Sequence, residues 1–381
     1  MLIFAIFFAA ILSDEPKIDQ VVCDRHFFTR ADEICCVSKR KNQKPLVQVL
    51  KIEAGSFVEV KRFIASHANI EEIAQNDKNI YCMYHNGVVE RRRLDAPEVP
   101  VSALKLESKH ENVQGMLSPD HDSDGPLLIS SSRDFTGPGS DFSTWITRAS
   151  LGDSRAALVW EIKGSFRFYG ERDASGFYLV NEHGDNRTLQ KRDFATGNVV
   201  AQLGCEQKWP TLLRDGTLVF SGGGSHEFWD FDNRILKRTV VIPDSEFRGK
   251  FMSVRSRDGV LEFVDYSGKP IPKYARIDTE KNELVFSIQE DKVILRNFQR
   301  GVFRIVDMVS KEQVFDKKKA YSVYLMPKRQ VLVIETVDAN GNFVEPPGGC
   351  APPPYPRYRL SILPQNAPAT RSDRKSGVSD Q

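Results

Sequence analysis

The chain has 381 residues, with 53 Lys+Arg against 51 Asp+Glu and a formal net charge of +2. Charges so nearly balanced argue against nucleic acid or an anionic membrane surface as a bulk electrostatic partner. The length is enough for one large β domain or two ordinary ones.

The first element is an apolar run, Leu2–Leu12, followed by Ser13–Asp14–Glu15–Pro16. It is too short to span a bilayer and has the length of the hydrophobic region of a secretory signal, although no Lys or Arg precedes it. Residues 1–13 are therefore read as a signal peptide. This predicts a secreted or extracytoplasmic protein with no integral membrane segment once the signal is removed. Six cysteines follow: Cys23, Cys35, Cys36, Cys82, Cys205 and Cys350. In an exported chain they suggest disulfides. Cys23, Cys35, Cys36 and Cys82 crowd the first quarter and are the candidates, with connectivity open. Cys23-x-x-His26 and Cys82-x-x-His85 also have zinc-ligand residue types. On a strand, however, residues three apart point to opposite faces, and export favours bridges over metal.

Residues 70–75 have the spacing of a single helical turn, and nothing longer is helical. The densest basic cluster, Arg91–Arg92–Arg93, is expected on an exposed edge strand. Asp120-His-Asp122-Ser-Asp124-Gly125 places three carboxylates at alternate positions of a tight loop, the first half of a calcium loop, but no acid follows where the second half would supply one. Calcium at Asp120, Asp122 and Asp124 is the one cofactor in view. Asn186-Arg-Thr188 is a glycosylation sequon set in a turn. His183 and His226 occupy equivalent places near hairpins. The four tryptophans, Trp145, Trp160, Trp209 and Trp229, are expected to pack between repeating units. Pro352-Pro-Pro-Tyr355 reads as part of a stiff proline-rich loop.

The clearest local unit is 211–240, where Leu212–Leu213, Leu218–Phe220, Phe228–Phe231 and Ile235–Val240 are separated by Asp215–Gly216, Gly222–Gly224 and Asp232–Asn233. Short apolar runs joined by such residues form an antiparallel meander. Similar units recur along the chain at 46–60, 88–104, 144–160, 188–203, 226–242, 274–288, 302–315 and 358–364. Their mean step is about 44 residues, the size of a four-stranded propeller blade. The last unit lacks a fourth strand, whereas Lys17–Cys23 is an orphan strand before the first. The fold expected is all-β: a β-propeller of eight, alternatively seven, four-stranded blades over residues 14–364. The N- and C-terminal strands would pair to close the ring, and the polar residues 365–381 would form a disordered tail.

The 188–203 segment resembles the quinoprotein-type repeat, in which Asp, two residues and Thr-Gly precede a docking Trp. Asp193, Thr196 and Gly197 match, but Ala201 stands at the Trp position. The Ser-Gly-Gly-Gly…Phe-Trp-Asp-Phe stretch resembles a WD-type blade. The resemblance implies a propeller superfamily and no activity; some quinone-cofactor dehydrogenases of that superfamily carry a vicinal disulfide such as Cys35–Cys36 would make. No Gly-x-Ser-x-Gly, P-loop or His-Glu-x-x-His motif occurs in the chain. The reading that follows is a monomeric exported binding or scaffold module for a protein or other extracytoplasmic partner, with no catalytic residues. The alternative is an extracytoplasmic hydrolase or oxidoreductase, which would bring at least three polar groups together at the mouth of the central channel.

Overall fold

The computed structural model describes residues 18–365, apart from 107–111, 118–126, 133–143, 345–356 and a number of short turns. Alternating apolar positions and frequent turn residues build eight four-stranded antiparallel sheets, and no helix occurs among the described residues. β1 (Gln20–Cys23) precedes the first sheet, which holds β2 (Arg25–Arg30), β3 (Glu33–Arg40), β4 (Gln43–Glu53) and β5 (Ser56–Ile64). The second holds β6 (Ile70–Gln75), β7 (Asn79–Tyr84), β8 (Val88–Arg93) and β9 (Pro100–Lys105). The third holds β10 (Asn112–Leu117), β11 (Leu127–Ser132), β12 (Thr144–Leu151) and β13 (Ala156–Gly164). In the fourth are β14 (Phe166–Asp173), β15 (Gly176–His183), β16 (Asn186–Asp193) and β17 (Val199–Gly204). The fifth contains β18 (Trp209–Leu212), β19 (Thr217–Gly222), β20 (Ser225–Asp230) and β21 (Ile235–Val241). The sixth has β22 (Ser245–Arg248), β23 (Met252–Arg257), β24 (Val260–Val264) and β25 (Ile277–Asp278). The seventh has β26 (Glu283–Gln289), β27 (Lys292–Asn297), β28 (Val302–Asp307) and β29 (Gln313–Lys317). The eighth is formed by β30 (Ser322–Met326), β31 (Gln330–Val337), β32 (Arg357–Pro364) and β1.

Seven sheets are simple meanders. The eighth runs β30-β31-β32-β1, with Gln20 opposite Ser361 and Cys23 opposite Tyr358. The first and last described strands are thus hydrogen-bonded neighbours. The first strands of successive sheets also meet: β2 lies against β6, β6 against β10 and β10 against β14. The molecule is an all-β propeller.

The core is divided among the sheet junctions. Leu50 and Phe57 of the first sheet pack with Leu332 and Leu360 of the eighth. Val47 and Val49 meet Ile73 and Ile80 between the first and second, and Tyr178 and Leu189 meet Leu218 and Phe220 between the fourth and fifth. Burying one such side chain is worth about 1.5–3 kcal/mol, so each junction has its own hydrophobic glue. A sheet alone exposes both faces and needs a neighbour on each side, which is the physical reason for repetition.

One irregularity recurs. Between the third and fourth strands the register slips once, at Val49/Leu50, Arg91/Arg92, Arg148/Ala149, Lys191/Arg192, Phe228/Trp229 and Ile305/Val306. A bulge raises local twist and re-aims the side chains beside it.

Three expectations change. Ile70–Gln75 is strand β6; its three consecutive buried residues, Ile73–Gln75, reflect a strand covered on both sides. Segment 274–288 is not one hairpin but the end of the sixth sheet and the start of the seventh. β25 has only two residues, and the turn before it is long and held by Asp265, whose carboxylate accepts from the backbone of Ser267 and Lys269. Arg91–Arg93 is not on an edge, because β8 lies between β7 and β9. Arg91 and Arg92 are buried, with exposures of 2% and 1%.

Candidate binding cleft between the first two sheets

The arginine run supplies the most developed polar constellation among the described residues. Alternation along β8 sends Glu90 and Arg92 to one side and Arg91 and Arg93 to the other. Arg92 donates to the carbonyls of Pro97 at 2.7 Å and Glu98 at 3.1 Å. Its Nη2 donates to Ser66 Oγ at 2.6 Å and Glu90 Oε2 at 2.9 Å. The Tyr84 hydroxyl donates to the same carboxylate oxygen at 2.9 Å. Phe63 covers the guanidinium at 4.8 Å. Burial pushes the Tyr84 hydroxyl pKa well above its ordinary value, keeping it a donor to Glu90.

Four polar side chains within reach of one another have the look of a catalytic cluster, but the fourth sheet holds a copy. Arg192 of β16 donates to Gly197 O at 2.8 Å and, through Nε and Nη2, to Gln190 Oε1 at 3.0 and 2.7 Å. Phe166 covers it at 5.1 Å. Glu90/Arg92/Pro97/Phe63 and Gln190/Arg192/Gly197/Phe166 are the same device in two sheets. It ties the third strand to the turn that follows and to an aromatic ring. Such a buried strut, bonded through both terminal guanidinium nitrogens, serves structure.

The opposite side of β8 faces a cleft of about 540 Å³ between β5 of the first sheet and the β6–β7 and β8–β9 turns of the second. Val60, Lys61, Asp77, Lys78, Asn79, Arg91, Arg93, Leu94 and Asp95 line it. Cations outnumber carboxylates, and each carboxylate is engaged by an arginine: Asp77 by Arg30 at 2.6 Å and Asp95 by Arg93 at 2.5 Å. Lys61 Nζ donates to the Asp95 carbonyl at 3.3 Å. Val60 and Leu94 add apolar rim, and Val60 is 42% exposed. Such a volume and mixture suit one or two partner side chains, with an acidic group favoured.

A second inter-sheet contact agrees with the expectation that Trp160 packs between blades. Trp160 lies opposite Arg148 in the third sheet as Ala201 lies opposite Lys191 in the fourth, each beside the bulge. Trp160 of β13 donates Nε1–H to Ala195 O at 3.1 Å and stacks on Phe177 at 5.8 Å. Gly197, at φ +73°, lies so close that a Cβ would stand 3.1 Å from the indole. Arg148 reaches the same carbonyl at 2.6 Å, and Lys191 crosses to Asp232 of the next sheet at 2.9 Å.

The other candidates fall as follows. Asp120, Asp122 and Asp124 lie outside the described residues, as do residues 1–13, Cys350, Pro352–Tyr355 and 366–381. Asn186 opens β16, paired with His183 at the hairpin. No cluster of three metal-binding side chains occurs among the described residues. His226 is buried beside Ser221 Oγ at 2.9 Å, and burial lowers its pKa. Cys23, Cys35, Cys36 and Cys82 are buried thiols, and the bridges expected of the first quarter are not formed in this structure; Cys205 is buried too. Cys35 and Cys36 enter different clusters because neighbours on a strand face opposite ways, which disfavours the vicinal pair.

No family model matches the chain, and no curated protein does. Solved structures do. Sqt1 of Saccharomyces cerevisiae aligns with a TM-score of 0.51 at 11% identity, over 92% of this chain and 98% of that one. The computationally designed Ika8 protein aligns with a TM-score of 0.50 at 11% identity, over 91% and 98%. A europium-containing methanol dehydrogenase aligns with a TM-score of 0.50 at 10% identity, over 90% and 93%. At such identities the likeness shows the β-propeller fold alone.

Proposed function

We propose that this chain is an exported propeller of eight blades, closed by the pairing of β1 with β32, that acts as a binding or scaffold module for a protein partner. Eight four-stranded sheets and the β1–β32 ladder support the blade count and the closure. The binding reading is carried by the cleft between the first two sheets. It is open, cation-rich and walled by sheet residues that the Arg92 strut holds in place. Rigid walls lower the entropy lost on association.

The test places a photo-crosslinking benzoyl-phenylalanine at Lys78 and, as control, at Leu284, which is 59% exposed on the seventh sheet. Irradiation in fluid or extract of the native source is expected to give one defined protein adduct from position 78. Adding Lys61→Glu should abolish it. Equal adduct patterns at both positions, or an adduct unaffected by Lys61→Glu, would sink the reading.

A further inference from the structure

Two thiols meet where the eighth sheet joins the first. Cys23 ends β1 and Cys36 stands in β3; both are fully buried in one apolar cluster with Ile34 and Leu360. β1 lies against β3. The Asp24 backbone N–H donates to Val37 O at 2.8 Å, holding the residue after Cys23 beside the residue after Cys36. Cys35 is turned away into the next cluster, with Cys82. Of the thiols of the first quarter, then, Cys36 alone shares a cluster with Cys23.

We propose that Cys23 and Cys36 form a disulfide, a covalent clasp between β1 and β3, when the chain folds in the presence of a disulfide oxidant such as oxidised glutathione. One protein thiolate attacks the glutathione disulfide, breaking its S–S bond to give a mixed disulfide and one glutathione thiolate. The second protein thiolate attacks the protein sulfur of that mixed disulfide and expels the second glutathione. The two cysteines lose two electrons and two protons, and glutathione disulfide is reduced to two glutathiones. Both folded thiols are buried away from oxidant, and the neighbouring Cys23 thiol and burial raise the Cys36 thiol well above its ordinary value. The reaction therefore belongs to folding, before the cluster closes.

The clasp is tested by unfolding and reducing the full chain, refolding it in a glutathione redox buffer, alkylating the remaining thiols and digesting with trypsin. Cleavage separates 18–25, which holds Cys23, from 31–39, which holds Cys35 and Cys36, and from 79–91, which holds Cys82. The expected product is 18–25 joined to 31–39, lighter than the two free peptides by two hydrogens. Cys35→Ser should keep the link and Cys36→Ser should lose it. The oxidised wild type should also melt several degrees above its reduced form, a difference absent from Cys36→Ser. A link from 31–39 to 79–91 in place of this one, a link that survives Cys36→Ser, or full alkylation of Cys23 after oxidative refolding would overturn the proposal.

Discussion

The two arginine struts differ in one respect that can be measured. Arg92 neutralises a buried carboxylate, whereas Arg192 bonds to a neutral amide. Arg92→Met keeps an unbranched apolar stem but leaves Glu90, 3% exposed, with Tyr84 as its remaining short-range donor and His67 Nε2 at 3.7 Å. Breaking a buried pair by removing one partner costs about 3–5 kcal/mol, because a charge is left in a poor solvent. Arg192→Met leaves an amide oxygen and the Gly197 carbonyl short of donors, at a cost of about 1–3 kcal/mol. The expected difference is about 2 kcal/mol, roughly thirtyfold in the folding equilibrium constant. Urea unfolding followed by tryptophan fluorescence reads it directly, provided the slope with denaturant is unchanged. Adding Glu90→Gln to Arg92→Met should recover about 1–2 kcal/mol, since the stranded charge is gone. Equal losses in the two single variants, or no recovery in the double variant, would refute the argument that charge separates these struts.

Two further predictions concern stability. His26 sits edge-on to Tyr358 at 4.7 Å and to Phe28 at 6.0 Å, and burial lowers its pKa to about 4 from 6.5. A depressed base means that the unfolded chain takes up the proton first, so stability is full above pH 6.5 and is lost as pH falls towards about 4. His26→Phe should flatten that part of the stability–pH curve in chemical denaturation, and an unchanged curve would count against it. Gly197→Ala combines a left-handed backbone with a Cβ 3.1 Å from Trp160. It is expected to cost about 1–3 kcal/mol. Thermal unfolding checks this, and a melting temperature equal to wild type would contradict the close approach.

Most of the architecture is legible in the amino-acid sequence, because local chemistry and global fold agree. In the fifth sheet, β18 to β21 fall on the four apolar runs of 211–240, with turns at the Asp, Gly and Asn residues between them. Gly197 and Gly259 adopt positive φ at turns that their neighbours in sequence already mark. Legibility ends where that agreement lapses. The sixth sheet ends in a two-residue strand after a long turn, so the apolar run Leu284–Ile288, which by spacing closes the sixth unit, opens the seventh instead. The candidate site is less legible. Three consecutive arginines look like surface, since charge is costly to bury. What makes burial tolerable is a carboxylate two residues away, carbonyls from the next turn and a ring from the preceding sheet. Only the last lies beyond local reach, and no spacing rule encodes it. Trp160 holds in the third repeat the register position that Ala201 holds in the fourth, and it docks across the junction on the Gly197 turn, a pairing that no single repeat encodes.

The β1–β32 ladder has a consequence for the order in which the molecule assembles. Seven sheets are made from strands adjacent in sequence, so their hairpins close over short loops at small entropic expense. The eighth joins Gln20–Cys23 to Arg357–Pro364, from opposite ends of the described chain. Loop-closure entropy makes such a pairing slow and late. During synthesis β1 emerges first and must wait, with Val21 and Cys23 uncovered, until the rest of the chain has been made. The seam is therefore where a folding chain is most open to chaperones, to strand exchange with a second copy, and to premature degradation.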